Sequence, residues 1–562
     1  MKRRISIIGA LLFFLSTSVF SQKSIPQHDV SFVREQIMLD YNAVSTWVQN
    51  TGTFNQDIRT NNTPGFMFPR GSHRFAIFTT GMSIGAFING RLRLATASWE
   101  SEFQPGIIIN INGVPTPYTD NTFKLYKVSE EDNCQTNPDW ANWGLMVPYG
   151  APYTDVNGNL QYDPCIDTPG IHGAGQTIFI CLTDGFPENH SQSTGFSGGT
   201  KPMNSEVRLT AWSFGGKVAP VLTNDQYFRW QIINKNDTAW NKTRFSIVCD
   251  PDIGDGTDDY IGCDTVRQMA YAYNSDNVDG IGTPPSYGQN PPAVGMRLLR
   301  SVKNKKSLGA EIYGCSSFCY FTSPGASGSV CESDPDQPSE AYNYMNSLKA
   351  DGSPWINPLT LQQTKFTYSG NPDGSGWTEF TGRINNCGSD SGALVPSPAG
   401  DRRFVITTGK DNLTLEPGDT MDVIMTQIIA KGANNLNAVT KLFLYSDAAK
   451  QLFDYLYIDD NPALGIEPVV NPSIPSGFYL SDNYPNPFNP TTKINYGLPI
   501  DFKLEITVYD AMGNKVVKLF DGVQQAGNYT LEFNGSNLAS GVYFLKMKSG
   551  AFIVTRKLML LK

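Results

Sequence analysis

The feature that most constrains this chain is a recurrence of strand-length runs of β-branched and aromatic residues, each cut off by Gly, Asn or Pro. RFAIFTTGMSIGAFI, RLRLATASW, GIIINING, QTIFICLTDG, VRLTAWSFG, YFRWQIINK and RFSIVCD follow one another between residues 74 and 250. Runs this short and this often interrupted cannot be long helices, and as strands they must bury their apolar faces on one another. Asn89–Gly90 separates two of them, the strongest short hairpin signal. A content of 52 Gly and 36 Pro, with 12% aromatic and only 17% charged residues, agrees. The expected fold class is mainly β: a multi-domain β-sandwich body with long loops, followed by a smaller C-terminal sandwich.

At 562 residues the chain exceeds what one core usually holds. Residues 1–21 have the form of a signal peptide, with cationic Lys2, Arg3 and Arg4, a mostly apolar run from Ile5 to Leu15, and Val19 and Ser21 ahead of a cut before Gln22. That run falls short of the roughly 20 apolar residues a spanning helix needs. No later segment is longer and as apolar, so no transmembrane helix is expected after cleavage. Residues 22–245 are expected to form a β-rich N-terminal body, and 246–465 a loop-rich, disulfide- and calcium-bearing region followed by strands and a helix. FVREQIMLDYNAV has the makings of a short helix, and NNLNAVTKLFLYSDAAKQLFDYL of an amphipathic one. Residues 466–477 belong to a Pro-rich linker, and 478–562 to a terminal domain.

Net charge is −9, and −12 once the three basic residues of the leader are gone. Outside the leader the basic residues gather only at Lys303, Lys305 and Lys306, which excludes a nucleic-acid-binding face. Nine cysteines in an exported chain read as disulfides. Cys134–Cys165 and Cys249–Cys263 are the local pairs; Cys315, Cys319, Cys331 and Cys387 leave their connectivity open; Cys181, inside a strand-like run, is the odd buried thiol.

From Phe478 onward, KINYGL, KLEITVYD, YTLEFN, GVYFLKMK and FIVTRKLMLL alternate with period two between Gly/Asn turns, a small antiparallel sandwich of immunoglobulin-like type. Its motifs say more. Tyr484-Pro-Asn-Pro-Phe488-Asn489, then Tyr509-Asp510 with Gly513 and Val516, then Ala539-Ser-Gly541-Val-Tyr543, and the closing Lys557-Leu-Met-Leu-Leu-Lys562 closely resemble the type A C-terminal sorting domain of type IX secretion cargo. The resemblance implies export to the periplasm, recognition by the outer-membrane secretion machinery, and display or release outside a gram-negative cell. Stretches of the body, among them DPDIGDGTDDYIGCD and RRFVITTG, look like segments of uncharacterised cargo of the same system and bring no activity with them.

Two Asp-rich loops carry the candidate chemistry. In the first, Asp155, Asn157, Asn159 and Asp163 place oxygens at positions 1, 3, 5 and 9, the spacing by which one loop wraps a calcium ion. Gln161 would add its backbone carbonyl and Asp167 the closing carboxylate, one place later than in EF-hand loops, while Leu160 stands where such loops hold Gly. In the second, Asp250, Asp252, Asp255, Asp258, Asp259 and Asp264 put six carboxylates into 15 residues, a density that calls for a cation. Calcium is the expected cofactor of both; an Asx-rich turn or a solvated acidic loop is the plain alternative.

Catalytic patterns are thin. The four histidines, His28, His73, His172 and His190, make no HExxH pair; Ser391 and Ser197 sit in short Ser/Gly strings that chance supplies in a Gly-rich chain. Trp140, Trp143, Tyr149, Trp230 and Trp240 suggest either a glycan surface or ordinary sandwich core. The expectation is a calcium-stabilised binding, adhesion or structural protein meeting a glycan or surface polymer. A secreted polysaccharide hydrolase with a hidden acid pair is the alternative.

Overall fold

A computed structural model describes residues 33–59, 62–117, 120–190, 196–215, 220–304, 310–323, 329–388, 392–457, 479–498, 502–524, 527–549 and 552–562. The leader at 1–21, the linker at 466–477 and Ser391 lie outside these. The strands used below are, in the body, β1 (Thr79–Ile88), β2 (Arg91–Thr96), β3 (Tyr126–Ser129), β4 (Gln176–Thr183), β5 (Ser205–Ser213), β6 (Asp225–Asn234), β7 (Asn241–Asp250), β8 (Asp259–Asp264), β9 (Met269–Asn274), β10 (Pro292–Asn304), β11 (Cys315–Phe321), β12 (Arg403–Thr408) and β13 (Thr420–Lys431). Beyond residue 478 come β14 (Tyr479–Leu480), β15 (Thr491–Leu498), β16 (Phe502–Asp510), β17 (Lys515–Gln524), β18 (Gly527–Asn534), β19 (Gly541–Ser549) and β20 (Phe552–Leu560).

Two large antiparallel sheets form the core of the body. The larger has ten strands, eight of them in the order β3-β4-β5-β6-β13-β10-β9-β8; the smaller has five, in the order β11-β12-β7-β1-β2. Period-two alternation lines the inner face of the large sheet with directly opposed apolar residues. Ile178, Ile180 and Leu182 meet Ala211, Leu209 and Val207; these meet Phe228, Trp230 and Ile232, which meet Met425, Val423 and Met421. Met82, Ile84, Phe245, Ile247, Phe404 and Ile406 of the small sheet share the same core. This is a sandwich held by side-chain interdigitation. The hairpin expected at Asn89–Gly90 joins β1 to β2, with Ile88 opposite Arg91.

Strands β4 and β9 are buried along their whole length, so the large sheet is covered on its outer face as well. One cover is the expected helix, α1 (Asn435–Tyr457). Asn434 starts it by accepting the Asn437 N–H at 2.7 Å, and Ala438, Val439, Leu442, Ala449, Leu452 and Phe453 pack on Tyr227, Tyr271, Ile424 and Ile428. Near β3 and β4 a second cover buries Trp143 and Met146 against Phe179 and Cys181.

Several expectations change. FVREQIMLDYNAV is not helical; Gln36–Leu39 is a strand paired with Thr46–Gln49, and Asn42 turns the chain by accepting the Val44 N–H. GIIINING is a loop in which Ile109 and Ile111 face solvent. The division drawn between residues 245 and 246 runs through β7, and the large sheet takes strands from both sides of it. The region expected to be loop-rich also carries core: residues 250–400 supply β8 to β11 and bury Tyr320, Tyr344, Trp355, Tyr368 and Trp377.

Cys134–Cys165 is bonded as expected, and Cys331–Cys387 resolves one open pairing. The expected Cys249–Cys263 bond is absent, because β7 carries Cys249 in the small sheet and β8 carries Cys263 in the large one. Thr80 donates to the Cys249 thiol and Cys263 donates to the Thr367 carbonyl. Cys181, Cys315 and Cys319 are also free thiols.

The terminal module is a two-layer antiparallel sandwich, with β14-β15-β18 facing β17-β16-β19-β20 across Ile494, Tyr496, Ile506, Val508, Leu545 and Met547. Among the described residues no helix is long and apolar enough to cross a membrane.

Candidate functional site

The first Asp-rich loop is closed by its own carboxylates. Asp155 accepts the N–H groups of Gly158, Asn159 and Leu160, and Asp167 accepts those of Val156 and Asp163. Asn157 and Asn159 each donate a side-chain amide N–H to Asp163 Oδ2 at 2.8 Å. Gln161 donates its N–H to Asn159 Oδ1. Leu160 takes a left-handed φ of 60°, the backbone for which EF-hand loops use Gly. The loop is therefore closed as a series of Asx turns, with its own N–H groups on the carboxylate oxygens. The disulfide Cys134–Cys165 fastens its far end, and Tyr162 donates to the Trp140 carbonyl at 2.6 Å.

The second loop divides its acids among three places. Asp250, at the end of β7, and Asp252 come together with Asp401, which lies just ahead of β12; one carboxylate oxygen from each falls within 4.8 Å of the others. Trp99 Nε1 donates to Asp250 Oδ2 at 2.9 Å. Arg403 reaches toward Asp250 Oδ1 (3.5 Å), Asp401 Oδ2 (3.2 Å) and Asp334 Oδ1 (3.4 Å), and its guanidinium lies over the Trp99 ring. Burial, then the neighbouring acids Asp401 and Asp334, push Asp250 up to about 7 against the pull of Arg403. Burial followed by Asp250 and Asp401 raises Asp252 well above the carboxylate range. Asp401 was not visible in the loop's sequence; it arrives from about 150 residues away.

Asp255, Asp258 and Asp259 face Asp279 instead. Asp279 Oδ1 accepts the Asp255 N–H at 2.8 Å and its other oxygen the Tyr287 N–H; Asp258 Oδ1 accepts from Asn274 at 2.6 Å. Asp259 is fully buried, takes the Ile253 N–H on Oδ2, and leaves Oδ1 without a donor. A Cβ on Gly254, at φ 66°, would stand 2.0 Å from Asp279 Oδ2, so the turn requires glycine. Asp264 belongs to neither group: Arg267 holds it at 2.6 Å.

Two further buried charge clusters bear on catalysis. His190 is enclosed by Glu102 (3.3 Å from Nδ1) and Asp184 (3.5 Å from Nε2), with all three side chains buried. Burial opposes the charged ring, but these carboxylates overcome it and push His190 up to about 9, which favours the protonated ring at neutral pH. Ser197 is 1% exposed. Glu332 is shared by Lys349 (2.8 Å) and Arg383 (2.8 Å), and a chain of hydroxyls through Tyr320, Tyr368 and Ser397 joins it to Glu379 and Arg402. Trp143, Trp230 and Trp240 are core residues and offer no glycan platform.

In the terminal module each motif has a mechanical role. Asn486 donates to the Lys557 carbonyl and accepts the Met559 N–H, and Phe488 exchanges backbone bonds with Met559 and Leu561, stitching the first motif onto β20. Asp510 accepts the N–H groups of Met512 and Asn514 around Gly513 (φ 85°), and Tyr543 donates to the Ala539 carbonyl. Tyr484 is left 83% exposed.

Residues 482–561 match the secretion system C-terminal sorting domain family. No curated protein matches the chain. Among solved structures, the adhesin domain of Epf from Streptococcus pyogenes aligns over 65% of this chain and 94% of its own at 7% identity and a TM-score of 0.14. PorZ, a surface component of the type IX secretion system of Porphyromonas gingivalis, aligns over 92% of this chain and 64% of its own at 10% identity and a TM-score of 0.12. The chain is type IX secretion cargo, addressed to the outer cell surface or the exterior of a Bacteroidetes-type gram-negative cell.

Proposed function

We propose that the body of this cargo protein is a non-enzymatic module for adhesion, surface-layer structure or polymer binding, stabilised by calcium held in its acidic loops. The observation that carries the reading is where the acids lie. Asp155, Asp163 and Asp167 are drawn into one tight turn, Asp250 and Asp252 gather with Asp401, and Asp255 and Asp259 lie beside Asp279, engaged with backbone N–H groups, with Trp99 or with one another. Acid pairs that hydrolyse a glycosidic bond face each other across a substrate-wide gap instead. Binding of a cation in such loops adds its free energy to folding.

The test uses the secreted protein in two assays. Thermal unfolding with calcium and with a chelator should give a lower midpoint in the chelator; an unchanged midpoint overturns the calcium reading. A glycan array run beside a reducing-sugar release assay should show retention without turnover; release of sugar from a retained polymer overturns the non-enzymatic reading.

A further inference from the structure

We infer that the second acidic segment binds its divalent cation between Asp250, Asp252 and Asp401, so that the ion ties the end of β7 to the start of β12. This rests on the calcium reading above and replaces a site confined to one loop with one that spans two distant segments.

The donor set is hard oxygen only, as calcium requires. Oxygens on opposite sides of one calcium ion, each about 2.4 Å from it, stand about 4.8 Å apart, and the three carboxylates meet that limit. Asp250 is 3% exposed, yet its Oδ1 accepts no hydrogen bond, and Asp401 Oδ1 is a second buried oxygen that accepts none. Buried carboxylate oxygens without donors are rare in native proteins and call for an unseen partner. Arg403 does not fill that need. It is one cation among Asp250, Asp334 and Asp401, and its Nε and Nη1 groups also make no hydrogen bond of good geometry. Around that guanidinium stand four carboxyl groups with Asp252, more acid than one cation can neutralise if all were ionised. A divalent ion neutralises most of the excess and leaves Arg403 to Asp334. Glycine at 256 is part of the construction, since a Cβ there would lie 2.3 Å from Asp252 Oδ1.

Trp99 makes the site readable. Its indole N–H is 2.9 Å from Asp250 Oδ2, within range to sensitise terbium bound as a calcium substitute. Full-length protein titrated with terbium and excited through the indole should luminesce, and calcium should quench the signal by competition. Asp252→Asn and Asp401→Asn should each weaken this binding at least on the order of 10-fold, the loss typical of removing an outer-shell partner alone. Asp264→Asn, whose carboxylate is held by Arg267, should titrate as wild type. Folding of the variants is checked by their midpoints in chelator. Removing one negative charge from the crowded group should leave Asp401→Asn at least as stable there as wild type, and unresponsive to calcium at this site. Wild-type terbium affinity in both Asp252→Asn and Asp401→Asn overturns the inference. If the chelator still lowers the wild-type midpoint, the broader calcium reading survives that failure; if it does not, both fall.

Discussion

Replacing His190 with glutamine tests the buried ionic enclosure that joins Glu102, which follows β2, to Asp184, which follows β4. Glutamine keeps hydrogen-bonding capacity and cannot take a charge. In the folded protein His190 is pushed up to about 9, against about 6.5 in an unfolded chain. That gap corresponds to about 3 kcal/mol. The sign follows from proton counting: the folded state binds the extra proton between these values. The stabilisation is therefore complete below pH ~6.5 and is lost as pH rises through ~9. The five free thiols also bend any stability curve downward above pH ~8.5, because burial raises their pKa values in the folded state. They contribute equally to wild type and variant, so the difference between the two isolates His190. Urea unfolding followed by tryptophan fluorescence at half-unit steps from pH 6 to 9.5 should show the variant less stable by about 3 kcal/mol at pH 6, with the two curves converging toward pH 9.5. Parallel curves across that window would refute the claim that His190 is charged in its enclosure.

Other perturbations separate the forces that hold the body. Lys349→Met leaves the fully buried Glu332 with Arg383 as its cation and the Tyr320 hydroxyl, and should cost about 3–5 kcal/mol, whereas adding Glu332→Gln to it should recover part of the loss in the same unfolding assay. Gly81→Ala would put a methyl 1.7 Å from the Ala97 carbonyl oxygen, backbone that cannot yield, and should cost at least about 3 kcal/mol, read as lost soluble yield or a lowered Tm. Reducing Cys134–Cys165, which spans 31 positions, should destabilise the first acidic loop by about 3–4 kcal/mol and expose residues 134–167 to limited proteolysis before the sheets yield.

What could be read from the residues was local. The Asn89–Gly90 hairpin, the helix from Asn435 and the Cys134–Cys165 bridge depend on neighbours within a few tens of residues. The motifs of residues 482–561 fall in the same class, because each is a turn or cap with fixed spacing. Pairing across the sandwich was hidden. Cys249 and Cys263 are close in sequence and belong to opposite sheets, while Asp401 joins Asp250 and Asp252 only because β12 pairs with β7. Gln36–Leu39 shows the limit of helical periodicity in a short run, where a partner strand decides between two patterns that fit equally well. The second acidic segment announced a need for positive charge and not which acids would share it.

Strand β13 occupies the middle of the large sheet, with β6 on one side and β10 on the other, although it is the last body strand to be synthesised. Until residue 431 is available, the two halves of that sheet have facing edges and nothing to join them, and each edge is a template for another chain. A polypeptide delivered N-terminus first must therefore keep the two halves of that sheet unjoined until β13 is available, then close in one late, long-range step of the kind that makes β-rich proteins slow to fold. In an exported protein this order places closure of the body after its last strand has been delivered.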